Sequence, residues 1–249
     1  MNTQVVSHNE WLAARERFLK KEKQFTRLRD ELSRARREVP RERVEKNYVF
    51  DGPNEKVSLS DLFDRRSQLI VYHFMFGPDW AEGCSSCSFV SDHIDGELVH
   101  LAARDISYVA ISRAPIAKIE AFKKRMGWKF KWVSSFGTDF NFDFHVSFTK
   151  DEVARGKMHY NYTEQQFPSD EGPGASVFQK ESDGKLFHTY STFGRGLDIF
   201  LGTYNWIDIT PKGRDEDALP HGMAWVRHHD RYENAIKAAS CCHAAKEGA

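Results

Sequence analysis

The sequence predicts an α/β protein, a central mixed sheet flanked by helices, behind a long N-terminal helical extension. Three observations predict it. The run Leu69-Ile70-Val71-Tyr72-His73-Phe74-Met75-Phe76 is apolar without alternation, as in a strand buried on both faces. A loop and a helix-period segment follow it, then a second apolar run from Ile106 to Ile111 and a second helix-period segment. That βαβα order implies parallel strands covered on both sides. Ahead of all this, residues 11 to 39 place an apolar side chain every seventh position, a helical signal.

Composition narrows the function classes. The 36 basic residues balance the 36 acidic ones, so the net charge gives no pull toward nucleic acid or an acidic membrane surface. No apolar stretch approaches the roughly 20 residues needed to cross a bilayer. Met1 to Glu10 is polar and lacks the apolar centre of a secretory leader. A cytoplasmic protein without nucleic-acid or membrane partners is expected. Its four cysteines fall in two pairs, Cys84/Cys87 and Cys241/Cys242, too few for a disulfide framework in a chain of 249 residues. In a reducing compartment a C-x-x-C pair points to redox catalysis or metal binding.

The extension is expected over residues 1–45. Ser7-His8-Asn9-Glu10 has the spacing of a capping box, with hydroxyl and carboxylate each serving the other residue's backbone N–H. Trp11, Phe18, Phe25, Leu32 and Val39, supplemented by Leu28 and Ala35, form one stripe, and Pro40 is expected to end the helix. The stripe either packs on the main domain or forms the seam of a homodimer. The arginines from Arg34 to Arg43 are interleaved with Glu38, Glu42 and Glu45 and read as a solvated face.

The main domain is expected over 46–233. Tyr48-Val49-Phe50 and Val57-Ser58-Leu59 read as a hairpin around the turn Asp51-Gly52-Pro53-Asn54, with a helical turn at Ser60 to Phe63. His73, inside the buried run, is read as a hydrogen-bonded core residue rather than a ligand. Beyond the loop from Gly77 to Gly83, Val90, Ile94, Leu98 and Leu101 have helical spacing. Cys84 therefore falls at a helix N-terminus, where free N–H groups and the helix dipole favour a thiolate. Cys87 lies one turn further in. The spacing gives Cys84 the role of nucleophile and Cys87 that of resolving thiol. Asp79 and Glu82 would oppose the dipole if they lay close to Cys84.

After the strand from Ile106 to Ile111, Pro115 opens a helix with Ile116, Ile119, Phe122 and Met126 on one face and Gly127 as its stop. Phe130 to Val133 reads as a strand. The phenylalanines between Phe136 and Phe148 form core or lid packing, with a substrate-facing aromatic wall as the alternative. Lys150 to Glu171 is polar and has no clear period, so it reads as a long excursion. Ala175 to Phe178 and Leu186 to Tyr190 form a hairpin around Ser182-Asp183-Gly184. Gly194-Arg195-Gly196 leads to a helix over Leu197 to Leu201 and lacks the spacing and the lysine of a phosphate-binding loop, so no cofactor is expected. Residues 204–232 wrap the core, and 234–249 form a flexible tail.

Several stretches together resemble one family: Phe76-Gly77-Pro78-Asp79-Trp80 with Gly83-Cys84-Ser85-Ser86-Cys87-Ser88, Ser112-Arg113-Ala114-Pro115, Arg125-Met126-Gly127-Trp128, Asp139-Phe140-Asn141-Phe142-Asp143-Phe144, and Thr189-Tyr190-Ser191 with Arg195-Gly196-Leu197-Asp198. They are similar to the domain-of-unknown-function family 899, described as predicted dithiol-disulfide oxidoreductases of thioredoxin-like fold, over Trp11 to Tyr232. The resemblance implies a thioredoxin-like sheet, peroxiredoxin-like in its early hairpin. It also implies thiol–disulfide exchange through Cys84 and Cys87, with a disulfide-containing substrate or a thiol electron donor as partner. Trp80, Ala175 and Ser176 take the substrate-facing positions. Two departures stand out. Thioredoxins carry a cis-proline where this chain has Gly174-Ala175-Ser176, and Trp80 and Ala81 stand outside the Pro and Thr/Ser pattern that precedes the reactive cysteine of peroxiredoxins. The alternatives are a zinc or copper site completed by His73, Cys241, Cys242 or His243, a thiol peroxidase, and a binding protein that keeps the fold without turnover.

Overall fold

The chain divides into two units, one ending at Arg41 and one beginning at Glu42. The structure, a computed structural model, describes residues 4 to 232. The expected tail, with Cys241, Cys242 and His243, lies outside the described residues.

The first unit is a single helix, α1 (His8–Arg36). Its capping box forms as the spacing requires: the Ser7 hydroxyl accepts from the Glu10 N–H at 3.4 Å, and the Glu10 carboxylate accepts from the Ser7 N–H at 2.9 Å. The helix ends before Pro40 because Arg37 closes it. The Arg37 N–H bonds to the Arg34 and Ala35 carbonyls, and its guanidinium donates to the Ser33 carbonyl at 2.9 Å. None of its residues is buried.

The second unit carries β1 (Glu42–Val44), β2 (Val49–Asp51), β3 (Lys56–Ser58), β4 (Gln68–His73), α2 (Ser85–Ser91), α3 (Leu98–Ala103), β5 (Ile106–Ser112), α4 (Ile116–Met126), β6 (Lys131–Ser134), α5 (Phe140–Asp143), α6 (Lys150–Arg155), β7 (Met158–Tyr160), β8 (Thr163–Gln165), β9 (Gly174–Lys180), β10 (Leu186–Phe193) and α7 (Gly202–Asp208). Glu42 to Val44 pair with β10, so they belong to the sheet rather than to the extension expected up to residue 45. The main sheet has eight strands in the order β1-β10-β9-β4-β5-β6-β2-β3. β4, β5 and β6 run parallel, and β9 runs antiparallel to β4. The four strands β5-β4-β9-β10, with α2 and α3 in the crossover from β4 to β5, make the thioredoxin-like arrangement. The β2–β3 hairpin extends the sheet beyond β6.

The sheet separates two apolar cores, because successive side chains of a strand point to opposite faces. Tyr72 and Ala110 face a cluster with Phe74, Phe76, Cys87, Phe122 and Trp132. Leu69, Val71, Val109 and Ile111 face another with Phe50, Phe63, Phe140 and Phe178. Each fully buried large side chain contributes roughly 1.5–3 kcal/mol. α4 starts after Pro115 and buries Ile119, Phe122 and Met126. Gly127 ends it at φ 69°, in the left-handed region that glycine enters at least cost.

The structure corrects three further expectations. The strand from Leu69 to Phe76 ends at His73, and Phe74 to Phe76 leave regular pairing while still bonding to Ile111 and Ala114. The excursion from Lys150 is ordered: Thr149 and Glu152 make a capping box for α6, and β7 and β8 form a hairpin. The helix expected at Leu197 to Leu201 is a 3₁₀ segment over Gly194–Phe200, followed by α7. The phenylalanines divide between cores, with Phe140 wholly buried in one and Phe148 in another. Among the described residues no helix is long and apolar enough to cross a membrane.

Candidate redox site

The loop that leaves β4 is held from several sides. The Lys118 ammonium donates to the Pro78 and Trp80 carbonyls at 2.7 and 3.2 Å. Gly77 lies under the Trp80 indole, where an added Cβ would come within 2.8 Å of the ring nitrogen. Gly83 lets the chain pass between two buried rings, since a Cβ there would meet Phe74 at 2.7 Å and Phe122 at 2.9 Å. Cys84 follows at the N-cap position of α2, and Cys87 sits in its first turn.

Met75 joins the two cysteines through its backbone. Its carbonyl accepts from the Cys84 N–H at 3.0 Å, and its N–H donates to the Cys87 sulfur at 3.4 Å. The Ser88 hydroxyl donates to the Cys84 carbonyl at 2.9 Å. Cys84 is half-buried, Cys87 is 1% exposed, and both are free thiols.

Their acidities diverge. The Cys84 thiol is lowered to about 7, first by a hydrogen bond from the Cys87 thiol, against the opposing effect of burial, with help from the Cys87 and Ser86 N–H groups and the Ser86 hydroxyl. Burial, and then the hydrogen bond to Cys84 and its charge, push the Cys87 thiol well up. The two carboxylates feared as opponents are occupied elsewhere or exposed. Glu82 faces Arg125 at 2.8 Å and Arg231 at 2.7 Å. Burial raises its carboxyl, but those hydrogen bonds and charges outweigh it and hold it below the usual range. Asp79 is exposed.

A further residue of the site comes from far along the chain. His228 is 4% exposed and donates from Nε2 to the Gly83 carbonyl at 2.9 Å. A carbonyl only accepts, so Nε2 carries the proton and Nδ1 is left to accept from Arg125 at 3.2 Å. The imidazole also stands edge-on to Phe122 at 5.2 Å. His228 thus clamps the residue before Cys84. No local signal marks it, because the partners are separated by 145 residues.

His73 is the core residue the sequence predicts. It is 1% exposed, its Nε2 lies 2.8 Å from the Ser176 hydroxyl, and its ring lies beside Phe140 and Phe144. Burial, and then the proximity of His188, lower it to about 3, so it is neutral. It occupies the sheet face opposite Cys87 and cannot complete a metal site with the cysteine pair. Among the described residues no group of three or more His, Cys, Asp or Glu side chains is placed to hold a metal.

Two expected substrate-facing residues are corrected. Ser176 is fully buried, and its hydroxyl is occupied by His73 and by Ser191 at 2.7 Å. Ala175 is 4% exposed and packs in the cluster that holds Cys87. Neither presents a surface to a substrate, because β9 is an interior strand between β4 and β10. Trp80 remains partly exposed in the loop before the pair. Every described peptide bond is trans, and Pro173 lies just ahead of β9, its carbonyl accepting from the Tyr160 hydroxyl at 2.6 Å.

A C-x-x-C pair opening the helix behind the central strand, on this sheet order, defines a protein of the thioredoxin-like class. The chain belongs to the bacterial protein family of unknown function DUF899, whose profile matches residues 1–232. Three solved structures are similar to it. A peroxidoxin, BcpB, from Mycobacterium tuberculosis is 15% identical, with a TM-score of 0.44 over 68% of this chain and 97% of that one. A Cys-to-Ser mutant of peroxiredoxin Q from Xanthomonas campestris is 10% identical, with a TM-score of 0.42 over 68% and 98%. A putative protein disulfide isomerase from Bacteroides thetaiotaomicron is 17% identical, with a TM-score of 0.38 over 67% and 89%. No curated protein sequence matches the chain.

Proposed function

We propose that the protein is a dithiol–disulfide oxidoreductase in which Cys84 attacks and Cys87 resolves. The observation that carries this reading is the asymmetry of the pair. Cys84 is half-buried at a helix start with its thiol lowered to about 7, whereas Cys87 is fully buried with its thiol raised. At neutral pH, therefore, Cys84 supplies the thiolate and Cys87 holds its proton in reserve.

The reaction follows from that division. The Cys84 thiolate attacks one sulfur of a substrate disulfide and forms a mixed disulfide, and the other substrate sulfur leaves as a thiolate and takes up a proton. Cys87 then loses its proton and attacks the Cys84 sulfur. The second substrate thiolate leaves, and a Cys84–Cys87 disulfide remains. Two electrons pass from the pair to the substrate, and a thiol donor returns the pair to the reduced state. A reducing cytoplasm is the compartment that suits such a cycle.

The test is dithiothreitol-driven reduction of a model protein disulfide. Cys84→Ser should abolish it, and prereduced Cys87→Ser, mixed with the substrate after dithiothreitol is removed, should trap a mixed disulfide visible by mass spectrometry. Undiminished turnover by Cys84→Ser rules the scheme out.

A further inference from the structure

The two-cysteine scheme leaves one polar group unused. Tyr72, on β4, points to the cysteine face of the sheet and is 2% exposed. Its hydroxyl has no hydrogen-bond partner among the described residues of the resting protein, and it shares one buried cluster with Cys87. Across the sheet its neighbours are Ala110 on β5 and Ala175 on β9, which offer it no polar side chain. Its ring borders a cavity of about 100 Å³, lined also by Tyr108, His93 and Glu97.

A phenylalanine would fill this position equally well. A buried hydroxyl without a partner is costly, so its presence calls for a chemical reason. Cys87 supplies one. When it attacks the mixed disulfide it must become a thiolate where water is excluded, and its one backbone donor among the described residues is the Met75 N–H at 3.4 Å. A thiolate in such a place needs further hydrogen bonds to offset its lost hydration.

We infer that the Tyr72 hydroxyl donates a hydrogen bond to the Cys87 thiolate as the mixed disulfide on Cys84 is resolved. The inference rests on the proposed function and adds a residue to it. Burial, then the nearby Cys87 charge, keep the phenol protonated far above neutral pH, so it acts as donor and never as base. In the step itself Cys87 loses its proton, its sulfur bonds to the Cys84 sulfur, and the substrate thiolate leaves and takes up a proton. Tyr72 keeps its own proton throughout. The titratable groups around the pair are Cys84 on α2, Tyr108 on β5, Tyr160 on β7, and His93, Asp95 and Glu97 in the crossover to β5.

The test uses the full chain with Cys241 and Cys242 replaced by serine, and 5,5′-dithiobis(2-nitrobenzoate) in stopped flow. Attack by Cys84 releases one thionitrobenzoate, and resolution by Cys87 releases the second. Tyr72→Phe should leave the first phase unchanged and slow the second about threefold at pH 7: a rise of about one pH unit in the Cys87 thiol removes about nine tenths of its thiolate, offset by about threefold greater nucleophilicity. In the Cys84→Ser background, thiolate absorbance at 240 nm should show the Cys87 midpoint raised by Tyr72→Phe. An unchanged second phase with an unchanged midpoint overturns the inference. A second phase that survives Cys87→Ser overturns the parent scheme instead, and that result is read without any change at Tyr72. Tyr72→Leu separates packing from chemistry. If it slows both phases while Tyr72→Phe slows neither, the residue only fills space and the inference fails.

Discussion

The acidity of Cys84 can be taken apart by replacing Cys87 with alanine. The hydrogen bond from Cys87 is the largest influence lowering the Cys84 thiol from 9.0 to about 7. The backbone donors at positions 86 and 87 survive the substitution, so only part of the shift is lost, about one pH unit for a single charge-assisted hydrogen bond. At pH 7 the thiolate fraction then falls from about one half to about one tenth, roughly fivefold. Each remaining thiolate becomes about threefold more nucleophilic, because nucleophilicity rises with basicity. The two effects leave only about a twofold loss at pH 7, and a single-pH rate would mislead. The informative assay is the rate of iodoacetamide modification of Cys84 from pH 5 to 10, with Cys241 and Cys242 replaced by serine. The parent should show a midpoint near 7, and Cys87→Ala a midpoint about one unit higher with a faster plateau. A parent midpoint near 9, or one that Cys87→Ala does not move, refutes the electrostatic account of the pair.

Other consequences are open to measurement. The Glu171 side chain is 1% exposed, meets Arg113 at 2.9 Å, and accepts from the Ser147 hydroxyl at 2.7 Å, yet burial raises its carboxyl from 4.5 to about 7. Its folded value exceeds its unfolded value, so its contribution to stability is fully present below about 4.5 and is lost as pH rises through about 7. That loss is on the order of 3 kcal/mol at about 1.4 kcal/mol per pH unit. Urea midpoints should therefore fall between pH 5 and pH 8 less steeply in Glu171→Gln than in the parent, and equal slopes would contradict this. Arg113→Ala should cost about 3–5 kcal/mol at pH 8 by leaving the carboxylate buried without its counter-ion. Gly83→Ala should cost about 1–3 kcal/mol in urea unfolding, since its methyl would press on the Phe74 and Phe122 rings. His228→Ala should make the segment before Cys84 more open to limited proteolysis at matched stability. Unaltered cleavage would show that the Gly83 carbonyl needs no clamp.

What the sequence discloses depends on range. The apolar run of β4 and the glycine stop of α4 are local signals: α4 ends where its glycine puts the stop, and β4 forms on its run but closes at His73, three residues early. The capping boxes at Ser7 and Thr149 are equally local, but the second opens a helix that buries none of its residues and so shows no apolar period to mark it. The β7–β8 hairpin was hidden for another reason. Its turn places Asn161 and Tyr162 at positive φ, and a tyrosine there carries none of the usual turn signature. The cysteine pair was plain from its spacing and setting. His228 and Tyr72 were not: one reaches Gly83 across the whole fold, and the other looks like any aromatic residue in a buried strand. The fate of Ser176 was also beyond local reading, because only the pairing of β9 between β4 and β10 buries it.

Tyr72 and His73 are adjacent, and the pleat sends them to opposite sides of one strand. A slip of β4 by a single residue would exchange them. An imidazole now packed beside Phe140 and Phe144 would then stand behind Cys87, and a phenol would be driven into the space beside Ser176. The ladders to β5 and β9 hold β4 on both edges, from Gln68 to His73. The chemistry open to Cys87 is thus decided by hydrogen bonds that contain no sulfur, and the parity of one strand acts as a selector between two different proteins written in the same residues.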